Sequence, residues 1–175
     1  MKNFLLALII LFTINSFSQS QTSKTVVGEK FPQFELTTLN GEKISSKSLE
    51  GKVVFINLWF TACVPCIEEM PELNKLKEKY ADKVEFYAIT FDDSARVKRF
   101  LEKRNFDFNH IVSADSFLKN TLQNKSYPLN IIIDRDGIIK YINGGIPHTK
   151  NKETGEMEML TYEFFETPLC KVIAD

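Results

Sequence analysis

Residues 53–71 read VVFINLWFTACVPCIEEMP, and the fold turns on how this stretch divides. Val53–Phe60 is a continuous run rich in β-branched and aromatic side chains, the signature of a strand buried on both faces. Beyond it the period changes: Ile67, Met70, Leu73, Leu76 and Tyr80 recur at helical spacing, with Glu72, Lys75, Lys77, Glu78 and Lys79 filling the other face. A central strand therefore runs into an amphipathic helix, and Cys63 and Cys66 stand at the join. Pro65 suits the first helical turn, whereas Pro71 lies inside the pattern and predicts a kink.

Working outward, FELTTL and EKISS flank Asn40-Gly41, a strong hairpin signal. On the other side VEFYAITF (84–91) is a second strand. DDSARVKRFLEKRN then carries cap candidates Asp93 and Ser94 ahead of Val97, Phe100 and Leu101 on one helical face. FNHIVSA predicts a short strand, followed by a helix over 116–123 capped by Asp115. NIIID and GIIKYIN flank Arg135-Asp136-Gly137 and predict a second hairpin. Strands alternating with helices and closing on a hairpin give an α/β fold, with a mixed sheet and flanking helices.

Composition sets the outer limits. A chain of 175 residues is one domain on the usual scale of about 100–200 residues. With 43% hydrophobic residues and 15 phenylalanines it can build its own core, so its three cysteines need another explanation than a disulfide scaffold. The 22 basic and 23 acidic residues are spread along the chain, which sets nucleic acid aside as a partner.

The N-terminus, MKNFLLALIILFTINSFSQ, places one lysine before an apolar stretch from Phe4 to Ile14, then small residues at Ser16 and Ser18. This is the layout of a secretory signal peptide, residues 1–18, cleaved near Ser18. A retained anchor is the competing reading, but the apolar stretch falls short of the roughly 20 residues of a spanning helix. The expectation is export across the inner membrane, most simply to a periplasm, with no stable membrane insertion after cleavage. Residues 19–27 read as a flexible lead, 28–145 as the folded domain and 146–175 as a C-terminal extension packed on it, forming an edge strand, a final helix or both.

Three readings of Cys63-Val-Pro-Cys66 compete. A structural zinc site needs four ligands, and only Cys170, His110 and His148 remain, far apart and without ligand spacing; no metal site is expected. A purely structural disulfide would close too short a loop to constrain the unfolded chain much. A working dithiol fits strand, cysteines and helix together. Cys63 then sits at the helix N-terminus, where partial positive charge and unpaired N–H groups favour a thiolate, and at the more exposed position. It is the expected nucleophile, with Cys66 resolving the mixed disulfide. Glu69, three residues after Cys66 and on nearly the same helical face, is the carboxylate placed to raise a thiol pKa and to exchange a proton; its bland reading is a solvated glutamate at a helix start.

NLWFTACVPCIEEMP, preceded by GEKFPQFELTTLNGEKISSKSLEGK and followed by YPLNIIIDRDGIIKYINGG, resembles the TlpA/ResA group of extracytoplasmic thioredoxin-like proteins, from about Gly28 to Gly145. The resemblance implies a thioredoxin fold with an added N-terminal β-hairpin and an inserted strand–helix unit. It also implies thiol-disulfide oxidoreductase activity, needing no cofactor, on protein thiol and disulfide substrates, as a reductant fed by a membrane-embedded thiol donor. By the same resemblance Pro128, after Tyr127, is a cis-proline beside the dithiol that shapes the partner-binding groove, and Glu69 has a proton-handling role. Thioredoxin itself has a buried aspartate where this chain has Asn57, which cannot titrate.

The chain also departs from that pattern. Ala62 precedes Cys63 where many relatives have tryptophan, and Trp59 and Phe60 read as core. His148 reads as a solvated loop histidine, with a partner or proton contact as the sharper reading. Cys170 reads as a small buried hydrophobe, with a second reactive thiol as its alternative. Two further functions stay open: a soft-metal module holding copper on the two thiolates with His148, and a peroxidase of the peroxiredoxin type. The second requires a threonine three residues before the first cysteine, where this chain has Phe60.

Overall fold

The computed structural model describes residues 25–175, and the expected signal peptide of residues 1–18 lies outside them. The elements run β1 (Glu35–Thr38), β2 (Lys43–Ser45), β3 (Val53–Leu58), α1 (Val64–Tyr80), β4 (Val84–Ile89), α2 (Ser94–Leu101), β5 (Asn109–Val112), β6 (Leu129–Ile133), β7 (Ile139–Asn143), β8 (His148–Lys150), β9 (Met157–Met159) and α3 (Glu163–Ala174). Seven strands join in the order β2-β1-β5-β4-β3-β6-β7, and β8 and β9 pair separately. β3 lies parallel to β4 and antiparallel to β6. The β1–β2 hairpin extends the sheet beside β5, and α2 with β5 forms the unit inserted between β4 and β6. No helix among the described residues is long and apolar enough to cross a membrane.

All six residues of β3 are buried, as a strand covered on both faces requires. The two-residue period divides them. Val53 and Phe55 point to the α1 face, where Phe55 stacks on Phe86 with centroids 5.6 Å apart; Val54, Ile56 and Leu58 join the second core on the opposite face. Asn57, continuing the first set, therefore points into the α1 side of an otherwise apolar strand. α1 buries Met70, Leu73 and Leu76 against that face and runs continuously through Pro71. Asp93 caps α2, accepting from Arg96 N at 2.8 Å.

The C-terminal residues form both a strand pair and a helix. β8–β9 makes a small sheet of its own instead of extending the main edge. α3 docks through Phe165, fully buried and edge-on to Phe55 at 5.4 Å, with Tyr162 N donating to Glu72 Oε2 at 2.9 Å. Burying such a ring contributes about 1.5–3 kcal/mol, and Leu169 and Val172 on the same stripe of the twelve-residue helix add to it.

The segment predicted as a helix over 116–123 is helical from Asp115, with an α-type bond from Leu118 N to the Ala114 carbonyl, and then widens into a π-turn, Phe117–Thr121, closed by Leu122 N donating to the Phe117 carbonyl. Asp115 pairs with Lys119 at 3.1 Å and caps nothing. The wider turn brings Phe117 and Leu118 into the core side by side, which the spacing of a regular helix does not favour at adjacent positions. Thr25, inside the expected lead, bonds the Leu122 carbonyl, and Gly28 N, at the start of the expected domain, donates to the Ile139 carbonyl.

Candidate active site

The join between β3 and α1 places the cysteines as the sequence predicts. Cys63 is the N-cap of α1, with extended backbone, and its Sγ accepts from Cys66 N at 3.3 Å. The two are disulfide-bonded, with Cα atoms 5.2 Å apart. Pro65 occupies the first turn, where a missing N–H costs no helical hydrogen bond. No acidic residue stands in that turn, so the positive end of the helix acts on Cys63 unopposed. Both cysteines are buried in the disulfide, Cys63 at 3% exposed and Cys66 at 1%, so Cys63 is the more exposed of the two by a narrow margin. Capping turns its sulfur inward, while the neighbouring Ala62 and Val64 are exposed and leave an approach from outside.

Glu69 is no solvated helix-start residue. It is 1% exposed, on the buried face of α1 one turn beyond Cys66. Its Oε1 accepts from Asn57 Nδ2 at 2.9 Å and Asn130 Nδ2 at 3.2 Å, and its Oε2 accepts from Ile146 N at 3.1 Å. Burial pushes its carboxyl up to about 7, against the pull of the hydrogen bonds from Asn130, Ile146 and Asn57. An acid titrating there can hold or release a proton at neutral pH.

The Tyr127–Pro128 peptide bond is cis, and Pro128 lines a groove of about 330 Å³ together with Pro65, Glu69, Ile146, His148 and Met159. Gly145 has φ +133°, and a methyl group there would lie 2.9 Å from Pro128 Cγ and 3.3 Å from Glu69 Oε2, so only glycine lets this loop close over both. The 146–175 extension thus contributes to the site from its first residue. His148 is exposed on the groove wall. Trp59 fills the core as expected, and Phe60 packs partly buried against the same core, where it stacks on Phe91 at 5.3 Å and meets Tyr127 edge-on at 5.3 Å in a partly exposed aromatic trio.

The remaining candidates lie elsewhere. His110 is buried against Trp59, its Nε2 2.9 Å from the Phe106 carbonyl. Among the described residues no three His, Cys, Asp or Glu side chains converge to hold a metal. Cys170 is exposed, not a buried hydrophobe, because its position on α3 faces away from the Phe165–Leu169–Val172 stripe. Its Sγ lies 3.2 Å from Tyr80 Oη, at the far end of α1. At 1.5 Å per residue, the stretch from Cys66 to Tyr80 spans about 20 Å. Cys170→Ser is therefore expected to leave disulfide exchange unchanged, while an alkylating reagent labels the oxidised protein at Cys170 alone. Slower exchange in the serine variant would place Cys170 in the reaction.

One site residue, Asn130, escapes the sequence reading. Its signal is a lone amide in LNIII (129–133), matched by Asn57 in VVFINL (53–58), and only strand register brings the two together.

The Redoxin family model matches residues 26–158. The chain is 33% identical over 153 residues to the thiol-disulfide oxidoreductase ResA of Bacillus cereus, covering 86% of this chain and 87% of that protein. It is 32% identical to the thioredoxin-like protein YneN of Bacillus subtilis, covering 85% and 91%. Among solved structures, a thioredoxin-family thiol:disulfide interchange protein from Chlorobium tepidum superposes with a TM-score of 0.66 at 18% identity, covering 85% and 99%, which speaks for the fold alone. A dithiol at a helix N-terminus, carried on this sheet and matched along most of its length, leads to one assignment: the chain belongs to the Redoxin family and is a ResA-like thiol-disulfide oxidoreductase of thioredoxin fold.

Proposed function

We propose that this protein works outside the cytoplasm, after removal of residues 1–18, as a reductant of protein disulfides. Its thioredoxin-like domain spans 28–145, and the 146–175 extension completes the groove beside the dithiol. The observation that carries the reading is the Cys63–Cys66 pair at the head of α1 with the buried Glu69 carboxyl one turn behind it. In the reduced protein the Cys63 thiolate attacks one sulfur of a substrate disulfide, forming a mixed disulfide and releasing the first substrate thiolate. Cys66 passes its proton to Glu69 and attacks Cys63 Sγ; the second substrate thiol leaves, and two electrons have moved to the substrate. Pro128 and Tyr127 bind the substrate chain alongside. A membrane-embedded thiol donor then returns the Cys63–Cys66 disulfide to the dithiol.

The test is a glutathione redox titration of residues 19–175 carrying Cys170→Ser, with the Cys63–Cys66 disulfide followed by thiol trapping. A reversible two-electron transition well below about −200 mV is expected of a reductant, and one near about −120 mV would make the protein an oxidant. Thiols protected from alkylation only when copper is added, with no reversible disulfide, would replace the enzyme by a soft-metal module.

A further inference from the structure

Two asparagines at the centre of an apolar sheet require a reason. Asn57 and Asn130 are directly opposed on β3 and β6, 1% and 0% exposed, on the face covered by α1. Burying an amide is costly unless every polar atom finds a partner, and apolar residues fill the neighbouring positions at no such cost. If the pair only satisfied itself, its donors and acceptors would be shared between the two amides. Instead the N–H groups converge on one carboxyl. Asn57 Nδ2 donates to Glu69 Oε1 and to Asn130 Oδ1, both at 2.9 Å, and Asn130 Nδ2 donates to Glu69 Oε1 at 3.2 Å and Oε2 at 3.4 Å. The bond from Asn57 to Asn130 Oδ1 fixes which way the second amide faces: turned over, Asn130 would set its oxygen against the carboxylate and its nitrogen against the Asn57 nitrogen.

The groups bonded to Glu69 are all donors: two amide nitrogens and Ile146 N. Such a ring matches an ionised carboxylate and offers nothing to accept the proton of a neutral acid. No charged group supplies the same pull. β3 and β6 carry no titratable side chain. On β7, Lys140 pairs with Asp134 and Tyr141 packs on Phe165. Glu68 is exposed on α1, and His148 stands exposed on the groove wall. In the reduced protein the Cys63 thiolate adds negative charge at the head of Glu69's own helix, which opposes ionisation.

We propose that Asn130, braced by Asn57, is a positioning residue that holds Glu69 ready to ionise inside the protein, so that it can take the Cys66 proton during exchange. Burial alone would keep Glu69 protonated and useless as an acceptor at neutral pH. The amide pair offsets burial without bringing a charge into the core.

This inference rests on the proton-handling role given to Glu69 above, and its test separates the two. Glu69 is titrated by carboxyl carbon-13 NMR in the oxidised mature protein carrying Asn130→Leu, with Asn130→Val as a second variant should the first not fold. The pH profile of disulfide exchange is recorded in the reduced proteins. Loss of the Asn130 donors is expected to raise the Glu69 midpoint by about one pH unit, a roughly tenfold smaller ionised-to-neutral ratio at a given pH. Asn130→Ser, which keeps one donor, restores part of the shift, and the exchange profile moves with the midpoint. A folded variant whose Glu69 midpoint matches wild type overturns the proposal. A raised midpoint with an unmoved exchange profile supports the tuning by Asn130 and overturns the role of Glu69 in the reaction.

Discussion

Replacing Cys63 with serine is expected to abolish disulfide exchange, and replacing Cys66 with serine to stop it one step later with the substrate held on Cys63. The asymmetry follows from position. Cys63 caps α1, where the helix field and the Cys66 N–H favour a sulfur anion, and serine cannot ionise there at neutral pH. Without its nucleophile, turnover falls to background, at least about 10³-fold. Cys66 lies in the first turn, more deeply buried than Cys63 and within bonding reach of it, so its loss spares the first attack and removes the second. Thiol release from a disulfide-bonded protein substrate measures turnover, and mass spectrometry under non-reducing conditions identifies the trapped adduct. An adduct on Cys66 in the Cys63 variant, with none on Cys63 in the Cys66 variant, would reverse the two roles.

Much of this arrangement is legible in the sequence because it is local. The change of period between Phe60 and Ile67 gives strand, join and helix, and it fixes Cys63, Cys66 and Glu69 relative to one another without knowledge of the fold. What stays hidden depends on partners remote in sequence. Whether Glu69 is wet or buried is decided by Ile146, 77 residues on, and by Asn130, 61 residues on. Phe60 sits at the edge of the core, partly exposed, against Phe91 and Tyr127 on two other loops. The π-turn at 117–121 and the exposed face of Cys170 are likewise set by packing, since local spacing is equally compatible with an ordinary helix and with a buried cysteine.

The stability of the oxidised protein is expected to fall by about 3 kcal/mol as pH rises from about 4.5 to 7 through Glu69 alone, and Glu69→Gln to remove that fall. The carboxyl titrates at 4.5 in an ordinary setting and at about 7 in the folded protein, raised chiefly by burial. Between those values the folded state holds a proton that the unfolded chain has released, so folding takes up a proton and weakens as pH rises. At 1.36 kcal/mol per unit, the interval gives the stated magnitude, fully present as stability below 4.5 and lost above about 7. His110 works in the opposite sense: burial lowers its pKa, so its contribution is lost as pH falls below about 6.5. The difference between wild type and Glu69→Gln in urea denaturation across this range therefore isolates the carboxyl, because His110 is common to both. A difference that stays constant with pH would mean that Glu69 titrates in the folded protein as it does in the unfolded chain, and that burial does not raise its pKa. The expected slope has a functional reading. A glutamine at this position would spare the protein the cost of a buried ionisable acid at neutral pH, and under the proposed function that cost is what keeps a proton acceptor one turn behind the dithiol.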